Sequence, residues 1–445
     1  MSSPESEVAS IGSLASQISV LSAKISEYLS TSSQPNPTFD AGSTAVPKTA
    51  EYEALRAPLN DAALDLLRLV NGPENTLRSF SFSHYDLAAL QVALSRGFFS
   101  HVPLSESGRK SDTQGIANGS SKPSASVEEI AEKAGMDPDR TARIMRLLAT
   151  HRIFQQVPGD GDSFQHTAAS ALLATDKAFH ATADMQMDDM LKAVSATTAT
   201  IEQSPSAYSQ EISPFSTAYG TSMYKYYEQQ PSKAARFAQA MSGWSQLDRQ
   251  VSELRDTFPW ESLKDGKIVD VGGGSGHISI GLARQFKSLR FVVQDISPKM
   301  LAQSQETIQD LNGRVTFQQH NFFDSQPVSD ADAYLLRQCL HNNNDADCVK
   351  IIQAIVPALE KCKRGTPLLI NDVIMPESGT TTRHEEHHLR QVDICMMVTL
   401  GAKQRTEKEF GGLLRQADPR LTIVKAWPNP LGVGLLEVHL DTTSR

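Results

Sequence analysis

Three scarcities narrow this chain before any motif is read. Cysteine is rare, four in 445 residues. Cys339, Cys348, Cys362 and Cys395 are spread without CxxC spacing, which argues against a disulfide-stapled scaffold or a thiolate zinc site. Reduced thiols in a cytosolic protein are expected instead. No apolar run approaches the roughly eighteen residues that would span a bilayer, so no membrane partner is expected. Basic charge is in deficit: 42 Lys and Arg stand against 51 Asp and Glu, a net charge of -9. That balance argues against a broad phosphate-binding surface and hence against a nucleic-acid partner. The opening Met1-Ser-Ser-Pro-Glu-Ser-Glu lacks the basic-then-apolar layout of a secretory leader, and the expected location is cytoplasmic.

What is present suggests more than one core. Val8, Ile11, Leu14, Ile18, Leu21, Ile25 and Leu29 recur at three- and four-residue steps, a helical stripe for residues 5–29. It suits a helix packed on a partner subunit as well as one packed on its own chain. Residues 30–49 read as a flexible linker. Helical patterns follow at Leu55–Val70 and Leu87–Phe98, and then Ser105–Ser126, rich in Ser and Gly, reads as a disordered insertion. The expected division is residues 1–50 as helix and linker, 51–250 as a helical domain, and 251–445 as an α/β domain.

Val127–Ala134, a Gly turn, and Pro138 ahead of Arg140–His151 read as helix-turn-helix. The stretches from Ile153 and from Asp162 supply a β-wing. Such a winged helix often reads DNA, but its second helix offers only Arg140, Arg143 and Arg146, and no basic tail accompanies it. Phe215–Trp244 is helical in pattern, with aromatics and methionines at helix spacing. From Lys267 onward apolar runs alternate with amphipathic helices, as in a parallel sheet covered on both faces.

The strongest motif is Lys267-Ile-Val-Asp-Val-Gly-Gly-Gly-Ser-Gly-His. A strand over Ile268–Val271 enters a glycine turn, and a helix starts near His277. Gly272, Gly274 and Gly276 let the backbone turn tightly and let a ligand approach without meeting a Cβ. Alone, that pattern also fits a nicotinamide cofactor. The next strand, Arg290 onward, ends in Asp295, placed to bond a ribose hydroxyl pair. A third strand, Val315–Gln318, leads to Asn321 and Phe322, an amide and a ring suited to an adenine edge and face.

VDVGGGSG, FVVQD, LLRQCLH and KQRTEKEFGGLL, in this order, resemble the S-adenosylmethionine-dependent small-molecule O-methyltransferases of the caffeate and flavonoid type. The resemblance spans nearly the whole chain and implies a Rossmann-like class I methyltransferase domain behind a winged-helix dimerisation domain, hence a homodimer. It implies S-adenosylmethionine contacts at Gly272, Asp295, Asn321, Phe322 and Arg337. It makes His341, expected at the end of a strand over Ala333–Leu340, the general base that takes a proton from a substrate hydroxyl. Asp372 matches the acidic residue that orients it. The substrate is expected to be a small aromatic or polyketide-derived metabolite.

Two positions depart from the family pattern. His-Asp-Trp reads His341-Asn342-Asn343, and the acidic residue before Arg-Thr-Glu reads Gln404. Amides in place of carboxylates are expected to weaken the imidazole as a base. The same scaffold includes methyltransferase-like pericyclases, in which hydrogen-bond donors and a bound sulfonium charge polarise the substrate. Arg337 would suit such a donor, so dehydration and cycloaddition stand as the alternative to methyl transfer. His384-Glu385-Glu386-His387-His388 satisfies HExxH literally, but it falls in what reads as a polar connection over Thr380–Arg390, and no metal is expected. Met185, Met187, Met190, Met396 and Met397 suit either a core or an adaptable substrate cavity.

Overall fold

Ser126 and Asp137 begin two successive helices for reasons written in their side chains. Ser126 Oγ accepts from the Glu129 amide, and Glu129 reaches back to the Ser126 amide. Asp137 accepts from the Arg140 amide, with Pro138 in the first turn. Gly135, left-handed at φ 62°, ends the first helix. Helices Val127–Ala134 and Pro138–Thr150 then pack against a three-stranded antiparallel wing, β1 (Ala125–Ser126), β2 (Phe154–Gln156) and β3 (Ser163–His166), in the order β1-β3-β2. Ile130, Met145, Leu148, Phe154 and Phe164 fill its core.

The computed structural model describes residues 9–104, 123–247, 251–429 and 432–442. The chain divides into two units. One gathers Met1–Leu191, Pro231–Trp244 and Thr382–His384; the other gathers Lys192–Gln230, Ser245–Thr381 and Glu385–Arg445.

In the first unit the helical stripe forms Ile11–Thr31, and a long helical run, Ala50–Ser95, follows. Gly72, at φ 69°, kinks that run, and Pro73 restarts it. The interval between the two expected helices is therefore helical as well. Leu67, Val70, Leu77 and Phe80 project from this run, Phe80 with 80% of its surface exposed.

Two expectations need correcting here. The linker 30–49 is pinned at one point, because Phe39 O accepts from the Ala168 amide and Arg152 lies over the Phe39 ring. Of the expected insertion, residues 105–122 lie outside the described residues, while Ala125–Ser126 is strand β1, paired with Ser163 and Phe164.

The second unit holds β4 (Lys267–Val271), β5 (Arg290–Asp295), β6 (Val315–Gln319), β7 (Ala333–Arg337) and β8 (Leu368–Asn371), all parallel. A small parallel pair, β9 (Ile374–Met375) and β10 (Arg405–Thr406), lies apart from this sheet. Antiparallel β11 (Leu421–Trp427) and β12 (Leu435–Leu440) complete the sheet, in the order β11-β12-β8-β7-β4-β5-β6. Helices Asp345–Leu359 and Glu407–Ala417 cover one face through Ile351, Ile352, Phe410 and Leu414. On the other face Ile278, Leu282 and Trp260 meet Ile268, Leu335 and Leu369. The chain runs from β4 outward to β5 and β6, then returns to β7 on the opposite side of β4. That reversal opens a crevice at the carboxyl ends of β4 and β7, where ligands of such sheets bind.

Candidate active site

β4 delivers the chain into the glycine turn at this crevice. Gly272, Gly274 and Gly276 all have positive φ, at 75°, 59° and 76°, a region that L side chains rarely enter. A Cβ on Gly272 would lie 2.8 Å from Cys339 Sγ and 3.4 Å from the Phe322 ring. The turn is thus closed from behind by a thiol and an aromatic. The Cys339 thiol donates toward Val271 O, and burial pushes its proton affinity up, so it is a neutral packing group.

Asp295, at the end of β5, braces the same turn. Its Oδ2 accepts from the Gly274 amide at 3.0 Å and its Oδ1 from the Ser297 amide at 2.9 Å. Ser297 itself, not Asp295, caps the following helix. Phe322 packs edge-to-face on Phe323, and Asn321 Oδ1 accepts from the Phe323 amide. Below them Gln294, Gln318 and Gln326 exchange side-chain hydrogen bonds and tie β5 to β6.

Beneath the turn lies Asp270, 2% exposed, accepting from Ser279 Oγ at 2.6 Å. Burial pushes its carboxyl up to about 6, against the pull of Ser279 and of the Arg337 charge. Arg337, at the end of β7, donates to Asn371 Oδ1. Its charge also helps hold His277 below the ordinary imidazole value, after burial as the main cause.

Strand β7 stops at Arg337, short of the expected Leu340. Gln338 takes φ 49°, and a 3-10 turn over Leu340–Asn342 presents His341. Its Nδ1 lies 3.2 Å from Gln404 Nε2 and 3.4 Å from Asp372 Oδ1. Asp372 Oδ2 accepts from the His341 amide at 3.2 Å. Asp372 and Gln404 are buried, at 1% and 4% exposure. No hydrogen bond reaches His341 Nε2 among the described residues.

The expectation for Asn342 needs revision. Its Nδ2 donates to Gln338 O, and Asn343 donates to Cys339 O. These amides tie down the turn instead of flanking the imidazole, so of the two departures only Gln404 meets the His341 ring.

Two residues that the sequence reading passed over matter here. Arg405, fully buried, bonds Asp345, Leu340 O and Asn343 O, clamping the His341 turn to β10. Tyr224, on the helix Met223–Glu228, keeps 42% of its surface open. Its phenol is nevertheless pushed up to about 12 by desolvation, then by Cys339 and Asp295. Its phenol therefore stands within electrostatic reach of Cys339 and Asp295. Its place in an aromatic helix gave a weak signal, and nothing local set its direction.

The HExxH stretch lies on a helix, Arg383–Leu400, not in a connection. Asp61 caps it from afar, accepting from the Arg383 and His384 amides. His384 Nε2 meets Arg56 and Asn60, and no cluster of three metal-ligating side chains occurs among the described residues.

A strand-end histidine backed by a buried carboxylate, beside a glycine turn on a doubly covered sheet, defines a class I methyltransferase fold. The chain belongs to the O-methyltransferase family. Residues 199–418 match the O-methyltransferase domain and residues 114–176 the O-methyltransferase dimerisation domain. It is 46% identical to O-methyltransferase sol2 of Alternaria solani, over 98% of this chain and 97% of that one. It is 30% identical to the chlorophenol O-methyltransferase of Trichoderma longibrachiatum, over 92% of this chain and 85% of that one. Among solved structures it is similar in fold to one titled a pericyclic reaction enzyme, with a TM-score of 0.70 at 23% identity, covering 96% of this chain and all of that one. LepI solved with SAM gives a TM-score of 0.67 at 22% identity, over 96% of this chain and all of that one. The mitomycin 7-O-methyltransferase MmcR gives 0.64 at 24% identity, over 87% of this chain and 99% of that one.

Proposed function

We propose that this chain binds S-adenosylmethionine across the carboxyl ends of β4, β5 and β7 and methylates a hydroxyl of a small aromatic or polyketide-derived metabolite. The observation that carries the reading is His341, whose Nδ1 faces Asp372 Oδ1 and Gln404 Nε2 while no hydrogen bond among the described residues reaches Nε2. The glycine turn fits the cofactor, because Gly272, Gly274 and Gly276 take left-handed conformations that L side chains rarely enter and so make the tight turn at the carboxyl end of β4. Asp295 would take the ribose hydroxyls, Asn321 and Phe322 the adenine, and Arg337 the amino-acid tail. When bound, S-adenosylmethionine would supply a methyl group activated by its sulfonium charge. His341 Nε2 takes the proton of the substrate hydroxyl, and Asp372 orients the resulting imidazolium. The chlorophenol specificity in one relative's name supports an aromatic hydroxyl as the acceptor.

A second reading has its own observation. Gln404 Nε2, not its oxygen, lies toward His341 Nδ1. An amide N–H donated to Nδ1 puts the ring proton on Nε2, making His341 a donor instead of a base. With Arg337, that donor would polarise a substrate carbonyl, as a pericyclase requires. Similarity in fold to a pericyclic reaction enzyme supports keeping this reading.

A homodimer and a cytoplasmic location belong to the same proposal. The dimerisation-domain match and the exposed Leu77 and Phe80 support the first. Four free cysteines support the second. No helix among the described residues is long and apolar enough to cross a membrane.

The deciding experiment incubates the protein with S-adenosylmethionine and hydroxylated aromatic metabolites and follows both by mass spectrometry. S-adenosylhomocysteine together with a product heavier by one methylene establishes methyl transfer. Isomerised or dehydrated substrate with intact cofactor establishes the pericyclase. Turnover of neither kind sinks both readings.

A further inference from the structure

We propose that Asn371 is a positioning residue for the cofactor, holding the Arg337 guanidinium ready for a carboxylate. This rests on the reading above that Arg337 faces the amino-acid tail of S-adenosylmethionine. Arg337 and Asn371 are direct partners in the β7–β8 ladder, so their side chains emerge together at the carboxyl edge. Asn371 is 2% exposed and satisfied at both ends of its amide. Its Oδ1 accepts from Arg337 Nη1, and its Nδ2 donates to Gly434 O at 2.7 Å. The bond to Gly434 fixes which way the amide faces, so the acceptor is presented to the arginine and the guanidinium plane is set. A carboxylate at position 371 would add a negative charge against Arg337; an amide orients the guanidinium without adding one.

The strand order says what that charge meets. Asp295 stands on β5, and Arg337 and Asn371 on β7 and β8, on the opposite side of β4. A nucleoside whose ribose is read by Asp295 directs whatever extends from its 5′ carbon across β4 toward Arg337. In S-adenosylmethionine that extension ends in a carboxylate, a natural partner of a preset guanidinium. The Arg337 charge already reaches Asp270 and His277, which places it beside the glycine turn.

The test compares two ligands by calorimetry: S-adenosylhomocysteine, which carries the carboxylate, and 5′-methylthioadenosine, which has the nucleoside and sulfur but no amino-acid tail. Asn371→Ala is expected to weaken S-adenosylhomocysteine by about tenfold and to leave methylthioadenosine unchanged. In an Arg337→Ala background the same substitution is expected to change neither. Equal losses for both ligands, or a loss that persists without Arg337, would overturn the role. If Asn371→Ala does not fold, Asn371→Ser carries the same comparison. A wild-type protein that binds neither ligand overturns the cofactor reading itself, a result distinct from failure of the Asn371 role.

Discussion

The side chain of Gln404 meets Nδ1 of His341 at 3.2 Å, and the amide oxygen of that same glutamine is buried without a hydrogen-bond partner. Asp372 Oδ1, 3.4 Å from the same ring nitrogen, is buried and unpartnered as well. Two acceptors without donors against one ring are costly. A proton on Nδ1 relieves Asp372, and an amide turned end for end would offer Oε1 to the same proton. In the proposed function Gln404 governs the tautomer, and the tautomer decides between base and donor. Gln404→Glu, an acceptor only, is expected to fix the proton on Nδ1. Methyl transfer should rise several-fold, because an imidazole with its proton held on Nδ1 keeps Nε2 as the acceptor. Any pericyclic activity should fall. A rate unchanged by Gln404→Glu would remove Gln404 from the proposed role.

Asn342→Asp is the contrasting variant. Its amide donates to Gln338 O, and a carboxylate there would oppose that carbonyl. It is expected to lower stability by about 1–2 kcal/mol without improving turnover. Urea denaturation and steady-state kinetics on one preparation check both halves. Faster turnover would restore a direct role for position 342.

Asp295 holds the glycine turn through Gly274. Asp295→Ala is expected to weaken S-adenosylhomocysteine by about a hundredfold or more, since both the ribose partner and the turn's brace are lost. Calorimetry reads this directly. Unchanged affinity would refute the assignment.

Asp270 makes a pH-dependent contribution of known sign. Burial raises its carboxyl to about 6 from an ordinary value of 3.8. Between those values the folded chain keeps a proton that the unfolded chain releases, so this group's contribution to stability falls as pH rises through the window and stays lower above it. The cost near neutral pH is about 3 kcal/mol. Asp270→Asn, which keeps an acceptor for Ser279, is expected to stabilise the ligand-free chain at pH 7.5 and to flatten the slope between about pH 4 and 6. Denaturation midpoints across pH measure it. A variant destabilised equally at every pH would show that the carboxylate is held for another reason.

Arg405 closes the back of the site. Arg405→Lys cannot span Asp345 and two backbone carbonyls together. A loss of about 3 kcal/mol is expected, with turnover falling more than cofactor affinity because His341 loses its support. An equal fall in both would mean that the clamp serves the whole fold.

Much of this site was legible because the chain writes it locally. The glycine turn needs nothing beyond a strand, three permissive residues and a helix, and the winged helix announces itself through Ser126, Gly135, Asp137 and Pro138. Asn342 was legible only as a departure from a pattern. Its true partner depends on the left-handed Gln338, a conformation no propensity favours. The helix carrying His384 resembles a connection in sequence, because its first residues are polar and its cap, Asp61, lies more than three hundred residues away.

By itself the sequence determined the family, four of the parallel strands and the glycine turn, and it put forward His341 and Asp372 as a pair, which the structure sets 3.4 Å apart. These follow from residue types at fixed spacing along one stretch of chain. The tertiary structure alone decided which of two amides meets the imidazole, that Tyr224 comes within electrostatic reach of Asp295 and Cys339, and that Asn371 holds Arg337. Each depends on side-chain direction and on distances between segments far apart in sequence. Those are set when β7, β8 and the 3-10 turn pack together, and no local pattern encodes them.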